Sequence, residues 1–138
     1  MAQETPNSVL VVDCDLEALT RTVAVLRSGG YRVLSASEFS QAKQILDSQD
    51  PDLLVTAVRL GLYNGLHLVL RGRLNNPRMA AIVLNNSIDP VLQIDARQQG
   101  ATYLVMPLSD HDFHEAVARS LSVKLESPDV VEIRSRPS

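Results

Sequence analysis

Pro51-Asp52-Leu53-Leu54-Val55-Thr56-Ala57-Val58-Arg59-Leu60 is the stretch on which the fold turns. Asp50-Pro51 breaks whatever helix precedes it, and Leu53 to Ala57 is then a short apolar run. Such a run suits a strand covered on both faces of a parallel sheet. The strand delivers its last residue, Ala57, to a loop at the sheet's carboxyl end, where open α/β folds place their ligands. Alanine carries no nucleophile, so covalent group transfer at this position is excluded.

The same alternation extends in both directions. Upstream, Ser8 to Asp13 is another continuous apolar run closed by an acid. Leu16, Leu19, Val23 and Leu26 then follow at helical spacing, ending at Gly29-Gly30. Tyr31 to Ala36 reads as a second strand, and Ser37 as the N-cap of a helix through Phe39, Ala42, Ile45 and Leu46. Downstream, Asn64-Gly65 marks a turn before a helix over Leu66 to Leu74, which contains Gly72. Met79 to Leu84 is a fourth strand. Asp89-Pro90 starts a helix that Gly100 stops, and Thr102 to Val105 is a fifth strand. Ser109-Asp110-His111-Asp112 opens a last helix whose core stripe is Phe113, Val117, Leu121 and Leu125. Five strands alternating with five helices predict a parallel sheet with helices on both faces and right-handed crossovers. The expected organisation is an amino-terminal extension over 1–7, one domain over 8–126 and a tail or linker stub over 127–138.

Composition narrows the function classes. The 138 residues are 45% hydrophobic, enough for one well-filled core, with a formal net charge of −3. No broad basic field exists to neutralise nucleic-acid phosphates, and a chain without Trp has no evident stacking platform. Arg71, Arg73 and Arg78 make only a small local group, read as a solvated face. No apolar run approaches the roughly 18 residues of a membrane span. The first residues lack a signal-peptide pattern, and the single Cys14 has no disulfide partner within the chain. A cytoplasmic protein is expected, with no direct nucleic-acid or membrane contact.

The landmarks, taken in order, resemble the bacterial response-regulator receiver family of two-component phosphorelay signalling. They are Val11-Val12-Asp13, Pro51-Asp52-Leu53-Leu54, Asn64-Gly65, and Gly100-Ala101 ahead of Tyr103 and Pro107. The resemblance covers about residues 8–125 and implies a flavodoxin-like (βα)5 three-layer sandwich of the chemotaxis-regulator type. It also implies a set of site positions, and most of them hold other residues here. The family's acidic pair for Mg²⁺ falls on Asp13 and Cys14, and a thiol suits that hard ion poorly. Asp15 is better read as a helix N-cap than as a ligand. The phosphoacceptor Asp matches Ala57, the hydroxyl that senses the phosphoryl group matches Asn85, and the Lys before the cis proline matches Met106, followed by Pro107. The aromatic that follows the hydroxyl inward is kept as Tyr103.

These substitutions are coherent as a set, because a Lys ammonium left without its carboxylates would carry a desolvation cost. The reading is a pseudo-receiver: not an enzyme, and an interaction module that works without phosphorylation. Its protein partner is a kinase, an output protein or a second copy. No cofactor is expected; Mg²⁺ binding is lost or weak, with Asp13 the one candidate ligand. Met106-Pro107 is expected cis, as in the family. The alternative is a small-molecule or nucleotide sensor using the cleft, although Asp13-Cys14-Asp15 would repel phosphates. A residual phosphoacceptor role for Asp15 or Asp52 ranks below both, since Asp52 belongs to the far end of its strand. Arg59 is read as a solvated side chain at the cleft mouth, or as a cation swung toward Asp13. Cys14 is read as a small buried hydrophobe, and His111 and His114 as surface residues.

Overall fold

The computed structural model describes residues 7–125, with side chains through residue 122. The tail expected over 127–138, and residues 1–6 of the extension, lie outside the described residues. The chain runs β1 (Ser8–Val12), α1 (Leu16–Ser28), β2 (Arg32–Ala36), α2 (Phe39–Ser48), β3 (Leu53–Ala57), β4 (Arg59–Leu60), β5 (Tyr63–Asn64), α3 (Leu66–Asn75), β6 (Ala80–Asn85), α4 (Pro90–Gln98), β7 (Thr102–Val105) and α5 (Asp110–Leu125). The main sheet has five parallel strands in the order β2-β1-β3-β6-β7. This is the flavodoxin-like order, in which the chain reverses its direction of travel between β1 and β3.

Alternate strand residues feed two separate cores, as the two-residue period of a strand requires. Leu10, Val12, Leu54, Ala81 and Val83 pack with Ala42, Leu46, Leu68, Val69 and Ala96 of α2, α3 and α4. Val9, Val11, Leu53, Val55 and Ile82 pack on the other face with Leu19, Leu26, Phe113, Val117 and Leu121 of α1 and α5. Among the described residues no helix is long and apolar enough to cross a membrane.

Several local expectations are corrected. Leu16, read as part of the α1 core stripe, is 65% exposed, and the buried face is Leu19, Thr22 and Leu26. Leu16 is the first residue of the helix. The N-cap of α2 is Glu38, not Ser37, and it makes no side-chain cap bond. Instead the Ser37 N–H donates to Gln41 Oε1 at 3.0 Å.

The loop after β3 contains an unforeseen hairpin in which β4 and β5 pair antiparallel, Arg59 opposite Asn64 and Leu60 opposite Tyr63. Gly61 turns it with φ +62°, a left-handed conformation that side chains resist. Tyr63 stacks on Phe39 of α2 with ring centroids 4.5 Å apart, which fastens the hairpin to the helical layer.

The side chains of two of the three arginines have partners of their own. Arg71 makes a two-pronged pair with Asp47 at 2.9 and 2.8 Å. Arg73 is half-buried and donates to Met79 O, Gln99 O and Gly100 O, so a side chain of α3 caps the end of α4. His111 is exposed, whereas His114 is half-buried and lies over Gly29.

Candidate functional site

The strand ends with their loops, together with facing residues of α1 (Ala18, Arg21, Thr22, Val25) and α5 (Asp110, Phe113), line a cleft of about 910 Å³. Asp13, Cys14, Ala57, Arg59, Asn85, Met106 and Pro107 all line it. The strand register explains why. Val12 lies beside Thr56, Ala57 beside Leu84 and Asn85 beside Val105, so the residues leaving β1, β3, β6 and β7 arrive at one edge. The Met106 N–H donates to Asn85 O at 2.8 Å, and the Met106-Pro107 peptide is cis. Asp52 is at the opposite end of the sheet, where it accepts the Ser8 N–H at 2.8 Å.

Each lining residue has a local cause. Asp13 is half-buried just past β1, and its Oδ1 accepts the Asp15 N–H at 3.0 Å. Burial pushes its carboxyl above the usual carboxylate range; the hydrogen bond from Asp15 opposes this, the Asp15 charge adds to it, and Arg21 counteracts it. Asp15 is an N-cap, as its sequence position implied: its Oδ1 accepts from Glu17 N and Ala18 N at 3.1 and 3.3 Å. Ala57 is backed by Gly65, where an added Cβ would stand 2.1 Å from Ala57 O. No larger residue fits Gly65 without moving the backbone that carries Ala57.

Two sequence readings change here. Cys14 is exposed rather than buried, its thiol 3.9 Å from Arg59 O. The chain has already left the sheet at Asp13, so the next side chain faces outward. Arg59 is exposed, and its guanidinium lies 3.8 Å from Asp89 Oδ2, not on Asp13. Tyr103 is not among the cleft-lining residues, but its hydroxyl reaches the site by accepting from Asn85 Nδ2 at 2.9 Å. That bond was missed by sequence reasoning. The available signal was a polar Asn closing a strand that is otherwise apolar, beside a strand carrying a Tyr. Met106 packs its thioether into the α1/α5 core, filling space with apolar volume.

The sequence model of the response regulator receiver domain matches residues 9–118. The chain is similar to the alginate biosynthesis transcriptional regulatory protein AlgB of Pseudomonas putida, 35% identical over 127 residues, which cover 89% of this chain and 28% of that protein. It is also similar to the transcriptional regulatory protein ZraR of Escherichia coli, 30% identical over 128 residues, covering 88% of this chain and 29% of that one. The chain therefore spans under a third of the length of these curated relatives. Among solved structures, the signal receiver domain of an HD-domain-containing protein from Pseudomonas fluorescens matches with TM-score 0.81 and 25% identity, covering 99% of this chain and 98% of that one. A receiver domain protein from Methanospirillum hungatei shares the fold with TM-score 0.81 at 21% identity, covering 86% and 96%.

Proposed function

From the premise that this chain belongs to the response regulator receiver family, we propose that it is a pseudo-receiver, a signalling domain that binds a protein partner without being phosphorylated. The observation that carries this reading is the cleft itself. Where a phosphoryl group would have to be accepted, clamped and neutralised, the wall offers the Ala57 methyl, the Met106 thioether and one half-buried carboxylate, Asp13. A transferred phosphoryl group needs a nucleophile and positive charge where negative charge develops; Ala57 and Met106 supply neither at their strand ends, and the cations that line the cleft, Arg21 and Arg59, come instead from α1 and the hairpin.

The residues present do not suit Mg²⁺. A hard cation seeks several oxygen ligands, while Asp13 stands beside a thiol, and Asp15 Oδ1 is engaged by two backbone N–H groups. No step is assigned to the metal.

Without a switch, the surface that would respond to one stays in a single state, since a ligand moves an equilibrium only by its differential affinity for the two states. Partner binding through residues 90–108 and α5 is then constitutive. The exposed apolar side chains Ile88, Val91 and Ile94 at and near the start of α4 support this region as a contact surface. The partner classes are a kinase, an output protein or a second copy.

Intact-mass analysis after incubation with acetyl phosphate and Mg²⁺ tests the reading: no phosphoryl adduct is expected, and a stoichiometric one would overturn it. The size of the cleft, about 910 Å³, favours a second reading as a small-molecule sensor. A ligand retained through native mass spectrometry would favour that reading over the interaction module.

A further inference from the structure

Tyr103 Oη is fully committed. A phenol has one proton to donate and two lone pairs to receive with, and all three are in use. Oη donates to Ser87 O at 2.7 Å and accepts from Asn85 Nδ2 at 2.9 Å and from the Asp89 N–H at 3.2 Å. The Asn85 carboxamide is held from its other side as well, where Oδ1 accepts the Asn86 N–H at 3.0 Å. That contact leaves the NH₂ as the end facing the phenol.

The three partners of Oη come from the last residue of β6, the loop that follows, and the N-cap of α4. They converge on a side chain of β7 whose ring packs against the α2/α3/α4 core. Asp89 extends the arrangement, because its Oδ1 accepts the N–H groups of Val91 and Leu92 at 3.1 and 3.2 Å. The position of Asp89 therefore sets the position of the first turn of α4.

We propose that Asn85 and Tyr103 form a built-in latch that holds the 86–89 loop and the first turn of α4 in one place with nothing bound in the cleft. Asn85 is a positioning residue: its amide reaches the phenol directly, and the phenol transmits that position to Ser87 and Asp89. The side chains thereby held at a fixed setting include Ile88, Val91 and Ile94. The regulatory meaning of the latch, a permanently presented surface, rests on the pseudo-receiver reading, whereas its hydrogen bonds stand without it.

The test is amide hydrogen exchange by NMR on the full chain, with neither partner nor phosphodonor present. Tyr103→Phe removes only the hydroxyl and keeps the ring in the core. Exchange at the Asp89 amide should accelerate by about fivefold or more, the scale of one lost hydrogen bond. The amides of Val11 and Leu54 in the central strands should keep their protection. Asn85→Ala should give the same local pattern, and the double variant should add little to either single change, as expected of one coupled unit. An unchanged Asp89 amide in Tyr103→Phe overturns the latch, and so does equal acceleration at Val11 and Leu54, which would mean general destabilisation. Failure here leaves the phosphorylation result untouched, and a phosphoryl adduct in the mass experiment would remove the pseudo-receiver reading while leaving the exchange result in place.

Discussion

Asp13 is the residue at which the cleft's electrostatics are unbalanced. Its folded pKa lies above the unfolded value, chiefly because burial disfavours the charged form. The folded chain therefore holds a proton to higher pH than the unfolded chain. Ionised Asp13 costs stability above the folded pKa, and the cost is relieved as pH falls through that value. Asp13→Asn keeps an acceptor for the Asp15 N–H and removes the charge. It should be more stable than the parent at about pH 7, with the difference shrinking toward about pH 4. Urea denaturation at both pH values checks this, and a variant less stable than the parent at neutral pH would contradict it. Ala57→Asp should not restore phosphorylation, because Cys14 and Met106 still leave the developing charge uncompensated; intact mass reads the outcome. The strand-end share of the cleft was legible in the sequence, since strand ends fix Asp13, Ala57, Asn85 and Met106; the share lined by Arg21, Thr22 and Val25 of α1 was not. How they point was not. The exposure of Cys14, the turn of Arg59 toward Asp89 and the three bonds of Tyr103 depend on loop paths, which periodicity does not encode.

Elements with strong start and stop chemistry were readable to within a residue or two. Asp89-Pro90 opens α4 as read, with two side-chain cap bonds, and Asp15 does the same for α1. Where the signal was weak the reading slipped, as at Ser37, whose neighbour Glu38 occupies the cap position although its side chain caps nothing. The β4–β5 hairpin went unseen because two-residue strands carry no measurable alternation. Gly61 in its turn has a φ of +62°, which makes glycine the natural occupant. Gly61→Ala should cost roughly 1–2 kcal/mol. Gly65→Ala should cost about 1–3 kcal/mol or more through overpacking, since its Cβ would meet a backbone oxygen at 2.1 Å. Chemical denaturation ranks the two, and a neutral Gly65→Ala would show that the approach of Gly65 to Ala57 is looser than described. Asp89→Ala should lose about 0.5–2 kcal/mol as an N-cap substitution.

At the scale of the whole molecule, two cores share one sheet, so each strand contributes alternately to both. Leu54→Ala empties a fully buried position in the α2/α3/α4 core. It should cost about 2–5 kcal/mol, measurable as a lower denaturation midpoint. Sheet order was legible because a strictly alternating chain with right-handed crossovers leaves few topologies; the sharing of side chains between helix ends was not. If the pseudo-receiver reading holds, self-association and partner affinity should change by less than about tenfold, or ~1.4 kcal/mol, when phosphodonor and Mg²⁺ are added. A larger change would mean that a switch survives. The Arg73 guanidinium gives α4 a further property. Its grip on Gln99 O and Gly100 O anchors the far end of the helix to α3, while Tyr103 anchors the near end to β7. Mechanically α4 is a beam clamped at both ends rather than a lever pivoting on one. Whatever docks on this helix therefore meets a surface whose two ends are tied to different parts of the fold, so that its heading is set from both.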